Sequence, residues 1–367
     1  MITAVAALQR VDRVLAGIVC LLFALLPTWV DARAFAVGDY RLHLTCRGSG
    51  GPIVVLDVGL GGSSLEWTLV VRQLRQTARV CTYDRAGYGR SDAGPLPRTS
   101  ARIAEELHRL LRRAGENAPY ILVGHSFGGY NMQLFARRYR DTVAGLVLID
   151  ASHPRQVERF LAPPLNLQTA PSGAWGIVQF REPPAPHPAL PEGVRKRIFA
   201  RARSAKSRRA LGAELLSFRD SGRQLEAASG LANLPLIVIT RGQMEGEATP
   251  KRRLLERVWL ELQIELAGAS AVSAHLVARL SGHHIHIEQP ELVRYAIALL
   301  VKRYKVASGQ AKPATAADDE DERVTLEEVT WLRDTLDLYP DKLAAHPLAA
   351  CTSAGGAVCA GTRNGAP

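Results

Sequence analysis

Short, almost uninterrupted apolar runs recur along this chain, separated by stretches with helical spacing. That alternation constrains the fold more than any other feature. Strand-like runs fall at 41–47, 52–58, 79–83, 120–124, 143–149, 234–240 and 274–280. Between them, Ile103, Leu107, Leu110 and Leu111 share one face of a helix that Thr99 and Ser100 can cap. Residues 127–139 also read as helix, as does the segment carrying Trp67, Val70, Val71 and Leu74. Strands that are apolar on both sides belong in a parallel sheet covered by helices on both faces, which makes the chain α/β. At 367 residues, 47% hydrophobic and 22% charged, the chain can bury such a core. A wholly disordered chain, a collagen-like fibre and a small disulfide scaffold are excluded. A single long uncharged apolar run argues against a polytopic membrane protein.

That run, residues 14–30, follows Arg10 and Arg13 and precedes Ala32-Arg33-Ala34. A basic start, a short apolar stretch and a small-x-small end predict a secretory signal over 1–34, cut after Ala34. The alternative is a membrane anchor over 14–30, although a span needs ~20 residues. The expected location is therefore periplasmic or extracellular, or anchored to a membrane. The core is expected over 35–152 and 233–306, with a linker and C-terminal extension over 307–367. Residues 153–232 interrupt the alternation with a proline-rich part and a basic helical part over 193–218, and hold 13 Lys/Arg against 6 Asp/Glu. Such a segment offers electrostatic contact with an anionic envelope. Aromatic residues make up only 6% of the chain, so no specific nucleic-acid partner is expected. In the acidic C-terminal segment, Thr325-Leu326-Glu327-Glu328 matches a capping box and predicts a short helix after it.

Gly124-His125-Ser126-Phe127-Gly128 lies between an apolar strand and a helix. A serine on so sharp a strand-to-helix turn is exposed at the sheet edge, and the Phe127 N–H at the helix start can face a developing oxyanion. With Gly59-Leu60-Gly61-Gly62, the run from Tyr83 to Asp92, and Ser281-Gly282-His283 followed by Glu288-Gln289-Pro290, this order resembles the α/β-hydrolase superfamily from about residue 38 to residue 304. The resemblance implies an eight-stranded, mostly parallel sheet with a mainly helical cap, 153–232, inserted after the sixth strand. It implies Ser126 as nucleophile and His283 as its base, ahead of the neighbouring His284 and His286 and of His275 within a strand. Leu60 matches the second oxyanion donor, although Val58-Gly59 stands where relatives commonly carry His-Gly; a backbone donor does not need that histidine. The acid is Asp150, closing the sixth strand, or Glu245, after the seventh. Asp150 is preferred because a buried strand end fixes a carboxylate better than a glycine-flanked loop. Asp84 and Arg85 read as residues that order a turn.

Ser126 in place of the aspartate that related epoxide hydrolases and haloalkane dehalogenases carry at the elbow points to acyl transfer. The expected function is a serine hydrolase cleaving a small-molecule carboxylic ester through an acyl-enzyme. An acyltransferase on the same residues, or a non-catalytic protein using the fold's pocket, are the alternatives. No metal, flavin or nucleotide motif occurs, and no cofactor is expected. The strand order implied by the resemblance sets Cys46 beside Cys81 on antiparallel strands, so a disulfide is expected there, with Cys351–Cys359 closing a loop in the tail.

Overall fold

The computed structural model describes residues 31–166, 186–244, 246–311 and 329–331. Among them, nine strands form one sheet in the order β1-β2-β4-β3-β5-β6-β7-β8-β9. The strands are β1 (Asp31–Ala36), β2 (Arg41–Arg47), β3 (Ile53–Asp57), β4 (Val80–Asp84), β5 (Tyr120–His125), β6 (Val143–Ile149), β7 (Leu236–Arg241), β8 (Ser273–Ala278) and β9 (Val329–Trp331). From β4 across to β8 every neighbouring pair is parallel. β2 runs antiparallel to β1 and β4, and β9 antiparallel to β8.

Side chains that alternate along each strand divide the core in two. Val54, Leu56, Ile121, Val123, Val147 and Ile149 face one cluster with Leu74 of α1 (Thr68–Leu74) and Leu292 and Ile297 of α10 (Pro290–Ala307). Val55, Leu122, Leu146 and Leu148 face the other, with Leu107 of α2 (Ser100–Arg113), Phe135 of α3 (Phe127–Arg138) and Leu266 of α8 (Pro250–Ala267). Because both faces are covered, strands such as β3 and β5 are buried at every position, which is why they read as continuous apolar runs. The Thr99 hydroxyl caps α2, accepting from the Arg102 N–H.

The cap lies between β6 and β7. It opens with α4 (Gln156–Leu161) and continues through α5 (Glu192–Ala202), α6 (Ala205–Leu216) and α7 (Phe218–Glu226). The one basic helix expected over 193–218 is thus broken. Arg203 ends α5, Ser204 caps α6 by accepting from the Ser207 N–H, and Ser217 separates α6 from α7. Arg85 ties this cap to the core. Its guanidinium is buried and pairs with Asp57 at the end of β3 and with Glu214 of α6, each at 2.7 Å. Tyr88 adds a hydrogen bond to Glu214 at 2.9 Å, and Asn131 donates to Asp57 at 2.8 Å.

Two expectations change at the sheet edges. Residues 31–34 fall within the expected leader, yet with 35 and 36 they form β1, paired along its length with β2; the boundary expected after Ala34 falls inside this strand. The helix expected after the 325–328 capping box is replaced at 329–331 by β9. Val-Thr-Trp has strand-forming side chains, and the open edge of β8 offers ladder hydrogen bonds that an isolated helical turn lacks. The capping box itself, Cys20, Cys351 and Cys359 lie outside the described residues.

Cys46 and Cys81 are directly opposed in the β2–β4 register and joined by a disulfide. Their Cα atoms are 4.1 Å apart, closer than the usual disulfide range. The bond closes a loop of sequence separation 35. Replacing both cysteines by alanine is expected to lower the unfolding free energy by about 2–4 kcal/mol. Equilibrium denaturation under oxidising conditions checks this; equal midpoints for the two proteins would contradict it.

Candidate active site

The Ser126 turn is held by close backbone approach. A Cβ at Gly124 would lie 2.6 Å from the Gly128 carbonyl oxygen, and one at Gly128 would lie 2.5 Å from the Asp57 carbonyl oxygen. Only glycine fits at either place. Ser126 itself adopts φ +52°, a left-handed conformation costly for a residue with a Cβ. Its N–H donates to the Ile149 carbonyl, and its carbonyl accepts from the N–H groups of Gly129 and Ser152. The serine is therefore pinned between β5, β6 and the start of α3. Phe127 opens α3, so its N–H has no intrahelical acceptor.

β3 delivers the neighbouring loop. A Cβ on Gly59 would sit 3.1 Å from the Ser126 Cβ and 3.4 Å from its Oγ, so the Gly59–Leu60 backbone passes directly against the serine. Arg85 orders this loop by donating to the carbonyls of Val58 at 2.7 Å and Gly59 at 2.8 Å. Asp84 accepts from the N–H groups of Ser64 and Arg90. Both residues order turns, as their placement in the sequence suggested.

Asp150 follows β6 and is completely buried. Its Oδ2 is 2.6 Å from His283 Nδ1 and 2.6 Å from an Arg241 guanidinium nitrogen, and its Oδ1 accepts from Trp259 Nε1 at 2.7 Å. Burial by itself would raise the Asp150 carboxyl. The Arg241 charge and the hydrogen bonds from His283 and Trp259 outweigh it, holding the carboxyl well below the usual carboxylate range. Arg241 is anchored in turn by Glu256 and lies over the Trp259 ring. Neither Arg241 nor Trp259 was singled out in the sequence. Arg241 ends β7 and Trp259 sits mid-helix in α8, and no local pattern connects them to residue 150. Glu245 lies outside the described residues.

The loop after β8 carries His283. Gln289 accepts from the Leu280 N–H and the Ser281 hydroxyl, and Glu288 accepts from the Gly282 N–H, so the turn is clamped by α9 (Ile285–Glu288) and the residue after it. His125 Nε2 donates to the His283 carbonyl at 2.9 Å, and the two rings lie 4.6 Å apart between centroids. The residue before the serine thereby fixes the histidine loop. His284 packs near His125 and His187, while His275 bonds Thr240 within the sheet. His286 is buried against Trp67. Burial, followed by the neighbouring histidines, drives both His125 and His286 far below the ordinary histidine range.

A cavity of about 210 Å³ opens beside Leu60 and His284, between the core and the cap residues Leu190 and Ile198. Glu66 lies in its wall. Burial raises this carboxyl to about 7, against a hydrogen bond from the Ser63 N–H and the pull of Arg85. His187, from the cap, bonds Glu288 at 2.9 Å across the same opening.

A family profile described as alpha/beta hydrolase fold matches residues 52–182. The chain has the α/β-hydrolase fold. It is 28% identical over 271 residues to the uncharacterized protein YqjL of Bacillus subtilis, spanning 73% of this chain and 91% of that protein. An AB hydrolase superfamily protein of Gibberella zeae is 29% identical over 280 residues, 68% of this chain and 86% of that one. Among solved structures, a thermophilic esterase from Thermogutta terrifontis aligns with TM-score 0.51 and 24% identity, covering 74% of this chain and 98% of that one.

The neutral histidines give a pH signature. A buried histidine with a depressed pKa stabilises the fold fully above about pH 6.5, and that contribution is lost as the pH falls below the unfolded value. Each such group contributes a slope of about 1.4 kcal/mol per pH unit there. Denaturation at pH 7.5 and 5.5 should show a shallower loss for His286→Phe than for the unaltered chain. Parallel pH profiles would contradict it.

Proposed function

We propose that this hydrolase-fold chain is a serine hydrolase that cleaves a carboxylic ester through an acyl-enzyme. The observation that carries the reading is the 2.6 Å bond between His283 Nδ1 and the buried Asp150, in the loop that His125 ties to the Ser126 elbow.

Ser126 Oγ attacks the acyl carbon and passes its proton to His283 Nε2. Asp150 fixes the tautomer that carries the proton on Nδ1 and stabilises the imidazolium as it forms. Arg241 and Trp259 keep Asp150 ionised for that purpose. His125 and His286 stay neutral, so neither opposes the charge developing on His283. The oxyanion is received by the Phe127 and Leu60 N–H groups, the second held in place through the Arg85 bonds to Val58 and Gly59. His283 then protonates the leaving alcohol, and a water activated by the same ring releases the acid. The similarity to an esterase of the same fold supports this choice of substrate class.

We also propose an oxidising, extracytoplasmic location. The Cys46–Cys81 bond supports it, since such bonds persist outside reducing compartments. A mature chain that keeps β1 then requires any leader cut to fall before Asp31.

Ser126→Ala should abolish turnover of a short-chain ester panel and labelling by a serine-reactive phosphonate, with the fold retained by circular dichroism. Turnover within tenfold of the unaltered enzyme would defeat the serine mechanism. Asp150→Asn should lower kcat by ~10⁴, while Glu245→Gln has little effect. The opposite result would move the acid to Glu245.

A further inference from the structure

We propose that a second cleft, at the β2–β4 edge of the sheet, binds a small, multiply charged phosphate-bearing anion. The cleft has a volume of about 540 Å³ and is walled by the β2–β4 surface, α1 and the cap helix α5. Six arginines line it: Arg47, Arg72, Arg75, Arg90, Arg197 and Arg201. Among the described residues none of the six has a carboxylate partner. The one carboxylate in the walls is Asp84, which accepts from the Ser64 and Arg90 N–H groups, each at 3.0 Å, and offsets only one of the six positive charges.

So many like charges around one opening repel each other, although burial and then Asp84 weigh more than any one arginine on the groups that line it. Burial, followed by Arg90 and Arg197, lowers Arg201 against the pull of Asp84. Burial, with Arg90 and Arg201, lowers His43 in the same way. His43 lies in the wall at 9% exposure, and its Nδ1 is buried with no hydrogen-bond partner. A fold keeps such an arrangement when something negative relieves it. Arg72 and Arg75 stand on the core wall and Arg197 and Arg201 on the cap wall, so one ligand would be gripped from both sides.

Guanidinium forks match phosphate oxygens in bidentate fashion, and several of them together select an anion with more than one charge. The walls carry no Phe, Tyr or Trp on which a base could stack, so a nucleic acid is disfavoured. Apolar lining is confined to Ala32, Leu65 and Val71, which suits a compact headgroup over a long chain. Phosphate of this kind reaches a protein either in solution or at a lipid surface. The anionic contact expected of the cap is thereby narrowed to two of its arginines, with the core supplying the other four. The proposal is independent of the chemistry at Ser126.

The test uses the full chain with pyrophosphate, by titration calorimetry, and vesicles of phosphatidylcholine with and without phosphatidylglycerol, by co-sedimentation. Arg72 and Arg197 are both exposed and stand on opposite walls, so Arg72→Gln/Arg197→Gln should not lower the thermal unfolding midpoint. It should weaken binding tenfold or more. Arg208→Gln/Arg209→Gln removes the same charge from α6 outside the cleft and should change binding less than twofold. Saturable pyrophosphate binding with this pattern, not competed by vesicles, identifies a soluble ligand. Vesicle binding that needs phosphatidylglycerol, shows the same pattern and is competed by pyrophosphate identifies a headgroup. Absence of saturable binding in both arms, or equal losses in the two double variants, overturns the proposal.

Discussion

The buried Arg85 guanidinium holds three separate parts of this molecule in one place. It pairs with Asp57 at the end of β3, with Glu214 of the cap, and with the carbonyls of Val58 and Gly59. A buried charge is tolerated only when its hydrogen-bonding capacity is met, so the residues around Arg85 have little freedom to move apart. Burial would lower the group, but Glu214 and Asp57 together raise it further still, and it remains charged. The cap, the loop beside Ser126 and the centre of the sheet thereby share one electrostatic anchor. A substitution that removed Glu214 would leave Arg85 with half its acidic partners and loosen the cap from the loop it covers.

Charge is also distributed deliberately around the serine. Asp150 is kept ionised in a fully buried position by one cation and two ring N–H donors, while His125 and His286 are kept neutral by burial and mutual repulsion. The same low-dielectric surroundings that stabilise the Asp150–Arg241 pair exclude protons from the histidines. His283 differs from both in being partly exposed and bonded to Asp150. The environment sets these three histidines apart, which their residue type does not.

The elements most legible in the sequence are those whose signal is local. β6 matches its expected bounds because 143–149 is apolar throughout and lies at the sheet centre, and α2 begins where Thr99 promised a cap. The elements misread are those whose conformation is decided by a distant partner. β1 is an edge strand of mixed polarity whose pairing with β2 supplies its hydrogen bonds, and in the sequence its small-x-small residues after an apolar run read as a processing site. β9 likewise exists by pairing with β8. At the site, Ser126, His283, Asp150, Leu60 and Phe127 all carried a recognisable position. Arg241, Trp259 and the second role of His125 did not, because each acts through a contact that no spacing along the chain encodes.

By itself, then, the sequence determined a helix-covered parallel sheet with a strand–turn–helix elbow at Ser126. Apolar periodicity and glycine are local constraints, and they act before any long-range contact forms. The tertiary structure alone decided which carboxylate meets His283, since Asp150 and His283 are 133 residues apart and are joined only when β6 and β8 take their places in the sheet. It alone decided that arginines scattered from 47 to 201 face one cleft. Such convergence depends on strand order and helix packing, properties of the whole chain that no short stretch of residues contains.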